Sequence, residues 1–175
     1  MAGEVAGENA RVGGGLLAPV VQYQEWITVV VRVALAAVLG YAGYAKFTEA
    51  QALQKVAVSS YQILPKSLVT PVAFGLPVLE MALAAMILLG FATRVMAICT
   101  GLLFVVFIAG IISAWARGLA IDCGCFGGGG SVGKGQTHYL REIMRDLGFL
   151  VLAAWLVVFP RGRFALDRAL GLYAV

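Results

Sequence analysis

Long apolar runs, separated by short joints of charged, Gly and Pro residues, constrain this chain more than any other feature, because a run of about 20 apolar residues cannot face water. One such run covers Trp26 to Ala45, about 30 Å of helix at 1.5 Å per residue, which matches the hydrocarbon core of a bilayer. Others cover about 72–90 and 93–115, and a fourth covers about 139–159. The composition agrees, with 61% hydrophobic and only 13% charged residues. The expected fold is therefore all-α, an integral membrane bundle of four transmembrane helices. It occupies residues 26–160, between a flexible N-terminal extension (1–25) and a C-terminal surface tail (161–175).

Several function classes drop out at this level. The net charge of +4 is modest and no basic stripe with interleaved aromatics occurs, so nucleic acid is not an expected partner. Met1 to Gly15 lack the basic and apolar regions of a cleavable signal peptide, so the first span is expected to stay as an anchor. Gly128 to Lys134 spell GxxxxGK, but Gly135 stands where a phosphate loop needs Ser or Thr, and no strand precedes it. Membrane lipid is the one certain surrounding.

Within the spans, Ala36, Gly40 and Gly43 make a stripe of small residues along the first helix, where a neighbour can approach closely. Trp26, Tyr41 and Tyr44 lie towards its ends, as interfacial aromatics do. The first connection carries Lys55, Tyr61 and Pro65, and its 51–58 stretch reads as a short interfacial helix. Pro77 interrupts the second span one turn before Glu80. A link as short as 90–94 makes helices two and three antiparallel neighbours. The fourth span opens with Arg141, Glu142, Arg145 and Asp146, so its start lies among headgroups or faces the bundle interior.

Arg32 and Glu80 are charges within apolar spans, and such charges seek a partner. Helical rise places them near enough to pair with each other. The pair then acts as a packing clamp or as part of a polar pocket for a quinone headgroup, with Tyr41, Tyr44 and Lys46 as further candidates.

The concentrated chemistry is Asp122-Cys123-Gly124-Cys125-Phe126-Gly127. Two thiols one glycine apart can close a disulfide only in a tight turn, and the small ring is expected to be strained and suited to exchange. Cys99 lies far along the third helix, about 27 Å by helical rise from its loop end, so it is read as a small buried hydrophobe. Residues 116–136 form the Cys-Gly loop, and its run of glycines predicts a mobile flap that lets the pair swing, with Phe126 covering it. Below the flap, His138, Arg141 or Glu142, and Arg145 recur at helical spacing, and cations there favour a thiolate.

Taken in order, Arg32 with Gly43 and Lys46, Tyr61 with Pro65, Pro77 with Glu80, Cys-Gly-Cys-Phe-Gly, and Arg145-Asp146 resemble the MauE/DoxX group of four-helix membrane proteins, its redox-associated MauE branch above all. The resemblance implies a role in disulfide formation or redox maturation of exported proteins, with Cys123 and Cys125 as the reacting pair. The expected partner is an extracytoplasmic thioredoxin-like protein or an exported client, and quinone is the expected electron acceptor. Lys and Arg near the helix ends do not fix the orientation. The termini are placed in the cytoplasm and the Cys loop outside, where disulfides persist.

Two rival readings follow from the same residues. In the first, Cys123, Cys125, His138 and Asp122 gather a soft ion such as Cu(I) or zinc. Alternatively the chain is a non-catalytic assembly subunit whose charges dock a partner in the membrane.

Overall fold

The computed structural model describes residues 18–133, 137–160 and 166. The elements are helices α1 (Ala18–Thr48), α2 (Gln51–Ser60), α3 (Lys66–Leu89) and α4 (Thr93–Ala116), the short strands β1 (Ile121–Asp122) and β2 (Gly130–Ser131), and helix α5 (Tyr139–Val158). Among the described residues, α1 from Tyr23, α3 and α4 are each long and apolar enough to cross a membrane by themselves. Helix α5 completes a four-helix bundle, and its first two turns carry the four charges noted above. The chain is a multi-pass membrane protein of all-α class. Helix α1 begins at Ala18, upstream of the expected start at Trp26. The tail at 161–175 lies outside the described residues apart from Leu166.

The bundle is two tight helix pairs, α1 with α3 and α4 with α5, joined through smaller α1–α5 and α3–α4 contacts. The short link between α3 and α4 therefore does not create the main interface of either helix. It turns instead on a left-handed Gly90 at φ 66°, whose amide donates to the Ile87 carbonyl while Phe91 N–H donates to Met86. This is the Schellman arrangement, which needs a residue without Cβ strain at that position.

The small-residue stripe sits where α1 crosses α3. A Cβ placed on Gly43 would stand 2.7 Å from Met81 Cγ and 3.0 Å from the Pro77 carbonyl oxygen. Backbone cannot yield as a flexible side chain can, so Gly43→Val should lower stability by about 1–3 kcal/mol through overpacking. Thermal unfolding of the purified protein in detergent checks this, and an unchanged midpoint would refute the close crossing.

Leu35, Leu39, Ile87, Ile111 and Leu156 fill the interior. Val30, Leu79, Leu102, Val106 and Val151 face outward, as membrane helices require. The same logic corrects the reading of Cys99, which is a free, exposed cysteine on the outer side of α4. Lipid accepts a small apolar side chain as readily as a core does, so apolarity alone did not distinguish the two faces.

Helix α2 is the platform on which the Cys loop rests. Strands β1 and β2 pair antiparallel, Ile121 with Ser131 and Asp122 with Gly130, and β2 lies along α2. The expected mobile flap is thus a folded hairpin. Its glycines are required by contact: Gly129 has φ +113°, and a Cβ there would fall 2.7 Å from Gly124 Cα and 2.9 Å from Ala57 Cβ. Glycines that look like flexibility in one dimension here permit close packing in three.

Candidate functional site

The hairpin brings its two cysteines inward. Cys123 and Cys125 are joined in a disulfide with Cα atoms 5.3 Å apart, and both residues are buried, at 8% and 9% exposure. In place of a swinging pair, Ile111, Ala114, Ile121 and Tyr139 close around the two cysteines. Apolar neighbours from α4 and α5 bury the turn because it is the plug of this end of the bundle.

Two side chains from the first half of the chain hold the turn by its carbonyls. Lys46, in the last turn of α1, donates to both carboxylate oxygens of Glu80, at 2.7 and 2.9 Å, and also to the Cys125 carbonyl. Lys46 and Glu80 are almost wholly buried. The expected Arg32–Glu80 pair is therefore replaced by Lys46–Glu80; Arg32 is buried elsewhere in the bundle at 4% exposure. Arg32 and Lys46 lie on nearly the same face of α1 but about 21 Å apart along its axis by helical rise, and the level of α1 that meets Pro77 and Met81 is the one carrying Gly43 and Lys46. The second holder is Tyr61, whose hydroxyl donates to the Cys123 carbonyl at 2.9 Å. Burial pushes the Tyr61 phenol well above its ordinary range, and the negative charges of Glu142 and Asp122 add to the effect. It remains a neutral donor throughout the physiological range.

On the other side of the turn stands α5. Arg145 Nη2 lies 3.9 Å from Cys123 Sγ, its guanidinium sits 4.5 Å from the centre of the Phe126 ring, and its Nε donates to Asp146 at 3.1 Å. Asp146 is buried at 1% exposure. Glu142 lies against the Asp122 carboxyl and the Cys123 amide. Phe126 packs against the buried cluster that contains the pair. It is wedged between Tyr41 and Phe149, with ring centres 5.9 and 6.3 Å away, and so anchors the turn to α1 and α5.

The other expected site residues are dispersed. His138 and Arg141 are exposed and make no described contact with the sulfurs, because they lie on the outward face of the first turn of α5. Tyr44 is exposed on the outside of α1, and Tyr41, also exposed, reaches the site through its contact with the Phe126 ring. The metal-ligand set is changed as well: the atoms that approach within 4.8 Å of one another belong to Cys123, Cys125 and Asp146, not to His138. Both sulfurs are already bonded to each other, and Asp146 is paired with Arg145. A guanidinium beside the ligand atoms opposes a bound cation, so this donor set fits a soft metal poorly.

Several contributing residues escaped the sequence reading. Gln54 donates through Nε2 to the carbonyls of Lys46 and Glu49, and Glu49 accepts from Gly128 N–H at 2.8 Å. Arg117 ties the end of α4 to the Tyr61 carbonyl, and Tyr139 ties α5 to Leu119 and Ile121. One signal was present: Gln54, Ala57, Val58 and Tyr61 recur at helical spacing along α2, the face turned to a cavity of about 410 Å³. That cavity is walled by α2, α3, α4 and the Cys123-Gly124-Cys125 turn. A ligand-sized space thus lies here, with Lys46 but not Arg32, Tyr41 or Tyr44 among its lining residues.

Removing the Tyr61 hydroxyl tests whether the turn is held from this side. Tyr61→Phe should cost about 1 kcal/mol of stability, the net worth of one hydrogen bond. It should also speed alkylation of the reduced cysteines. Unchanged alkylation would show that the bond does not hold the turn.

No curated protein and no solved structure matches the chain. A family model described as methylamine utilisation protein MauE matches residues 24–159, which takes in most of α1, all of α2 to α5, the hairpin and both cysteines. By that match, over most of its length, the chain belongs to the MauE family.

Proposed function

We propose that this protein is a membrane thiol-disulfide redox protein that supports disulfide formation or redox maturation of exported proteins, within the methylamine utilisation for which its family is named. The observation that carries the reading is the environment of the Cys123–Cys125 disulfide. Each carbonyl of the pair is held by a side chain from another helix, and one sulfur faces a guanidinium. A bridge that only stapled the loop would not call for a cation at a sulfur, whereas an exchanging pair does, because the thiolate is the reacting and leaving species.

In the reaction, a substrate dithiol is oxidised to its disulfide. A substrate thiolate attacks one sulfur, the Cys123–Cys125 bond breaks, and the second substrate thiol resolves the mixed disulfide. Two electrons and two protons pass to the pair. The substrate is an exported client, or a thioredoxin-like protein that serves such clients. Burial of both sulfurs means that the hairpin must lift before a protein partner can reach them. The hairpin lies on the outer side of the membrane with the termini inside, since the compartment that keeps disulfides is the outer one.

Differential alkylation in intact cells tests this reading. The pair should be found largely oxidised. After mild reduction it should react with a membrane-impermeant maleimide, while Cys99 on the lipid face should not. Sulfurs sealed from the outside, or unable to rejoin under any oxidant, would remove the proposal. The metal reading predicts stoichiometric copper or zinc on the purified protein, lost in the double Cys→Ser variant, and the observed Arg145 stands against it. The assembly-subunit reading predicts that the same double variant keeps full function.

A further inference from the structure

The redox proposal leaves the reduced pair in need of an oxidant, and the described residues hold no second dithiol to supply one. The cavity behind the turn offers a place for it. Its volume of about 410 Å³ is in the range of small-molecule sites, and its lining is apolar except for a cluster at one wall: Lys46, Glu49, Gln54 and Tyr61. The Cys123-Gly124-Cys125 turn belongs to that same wall.

The mouth says what kind of ligand can enter. Val106 and Ile63 both line the cavity, and both are exposed to the outside of the bundle, at 65% and 55%. Val106 stands about 15 Å along α4 from its loop end, by helical rise, which is at acyl-chain depth. A water-soluble thiol would not approach there, and a folded protein would not fit. A lipid-soluble molecule would.

The polar wall narrows the class further. Lys46 gives its hydrogens to Glu80 and Cys125, and Gln54 Nε2 is spent on two carbonyls. Gln54 Oε1, by contrast, is buried with no hydrogen-bond partner among the described residues. Tyr61 donates to Cys123 and keeps oxygen lone pairs to accept with. The disulfide form thus presents acceptors in want of a donor. An acyl chain would leave Gln54 Oε1 orphaned, whereas an apolar ring bearing a hydroxyl would satisfy it with a small adjustment of the Gln54 side chain.

We infer that this cavity is the site of a lipid-soluble quinone, which reoxidises the Cys123/Cys125 dithiol and is held afterwards as the quinol through Gln54 Oε1 and Tyr61. The inference rests on the redox reading of the pair. The step balances: the dithiol loses two electrons and two protons as the sulfur–sulfur bond forms, and the quinone takes both to become a quinol. The state described here, with the disulfide closed, is the state that complements the product.

The test uses the full chain, purified and delipidated in detergent. Oxidised protein is titrated with a decyl-substituted benzoquinol, and decylbenzene serves as the hydrocarbon control. Saturable quinol binding is expected, with no competition from decylbenzene. Gln54→Leu should weaken it at least tenfold. Val106→Trp, on the outer face where it does not disturb the core, should abolish it by closing the mouth while thermal unfolding stays unchanged. In a second arm, dithiol-reduced protein mixed anaerobically with the corresponding quinone should yield one quinol for each disulfide formed. Absence of saturable binding, equal competition by decylbenzene, or indifference to both substitutions would overturn the inference and leave an acyl chain as the occupant. If quinone fails while the pair still exchanges with dithiols, the redox reading stands without this site. If the pair cannot be reduced and reformed by any reagent, that reading falls first and the quinone site with it.

Discussion

Lys46→Met should lower the stability of the protein by about 3–5 kcal/mol, the usual consequence of removing one partner of a buried ion pair. Glu80 is wholly buried and takes two hydrogen bonds from Lys46, so the substitution strands a carboxylate inside the bundle. It also removes the hydrogen bond to the Cys125 carbonyl, so the hairpin should loosen at the same time. Two measurements separate these effects. Thermal unfolding in detergent reports the bundle, and the alkylation rate of the reduced cysteines reports the turn. Adding Glu80→Leu should restore much of the unfolding temperature, since no charge is then left behind, but not the slow alkylation. A Lys46→Met protein that unfolds at the wild-type temperature would show that the pair does not support the bundle.

Cys123→Ser and Cys125→Ser should each abolish oxidation of a substrate dithiol, and they should fail differently. Arg145 stands 3.9 Å from Cys123 Sγ and stabilises negative charge on that sulfur. In disulfide exchange the sulfur whose thiolate is better stabilised leaves faster, so the incoming thiolate attacks Cys125 and expels Cys123. Cys123→Ser leaves Cys125 to form a mixed disulfide that nothing within the pair can resolve. Given a single-cysteine partner activated as an aryl disulfide, that variant should accumulate the mixed species, as Cys125 attacks the partner sulfur and the aryl thiolate leaves; this is visible on a non-reducing gel, and Cys125→Ser should not show it. Arg145→Leu in the otherwise native chain should slow exchange about tenfold or more, with the deficit undiminished as pH rises, since rising pH supplies the incoming thiolate equally to both proteins and leaves the departing Cys123 without its cation. Trapping on the opposite variant would reverse the assignment of the two sulfurs.

The close contacts explain why the sequence was legible only in part. The spans, their order and the small-residue stripe follow from one-dimensional properties, because a bilayer selects helices by length and apolarity alone. The Cys-Gly-Cys pair was equally plain, since its chemistry lies in residue type and spacing. The reading of Gly127 to Gly130 as a flap failed for a specific reason: glycine signals either freedom or closeness, and only the presence of Ala57 and Val56 opposite Gly129 and Gly130 decides which. The Arg32–Glu80 pair failed because the spans were set level with one another: Arg32 and Lys46 share nearly one face of α1 but lie about 21 Å apart along it by helical rise, and it is the Lys46 level that meets Glu80. Cys99 was placed inside because the outer surface of a membrane helix is as apolar as its core.

The amino-acid sequence by itself determined that this protein lives in a membrane as a helical bundle, and that its Cys-Gly-Cys pair sits in a loop between the last two helices. Only the tertiary structure decided that Lys46 rather than Arg32 meets Glu80, that Arg145 faces Cys123, and that Gln54 and Tyr61 border a cavity behind the turn. The physical reason is that apolarity and spacing act along the chain, whereas charge pairing and cavity shape depend on how helices slide and rotate against one another, which packing alone settles.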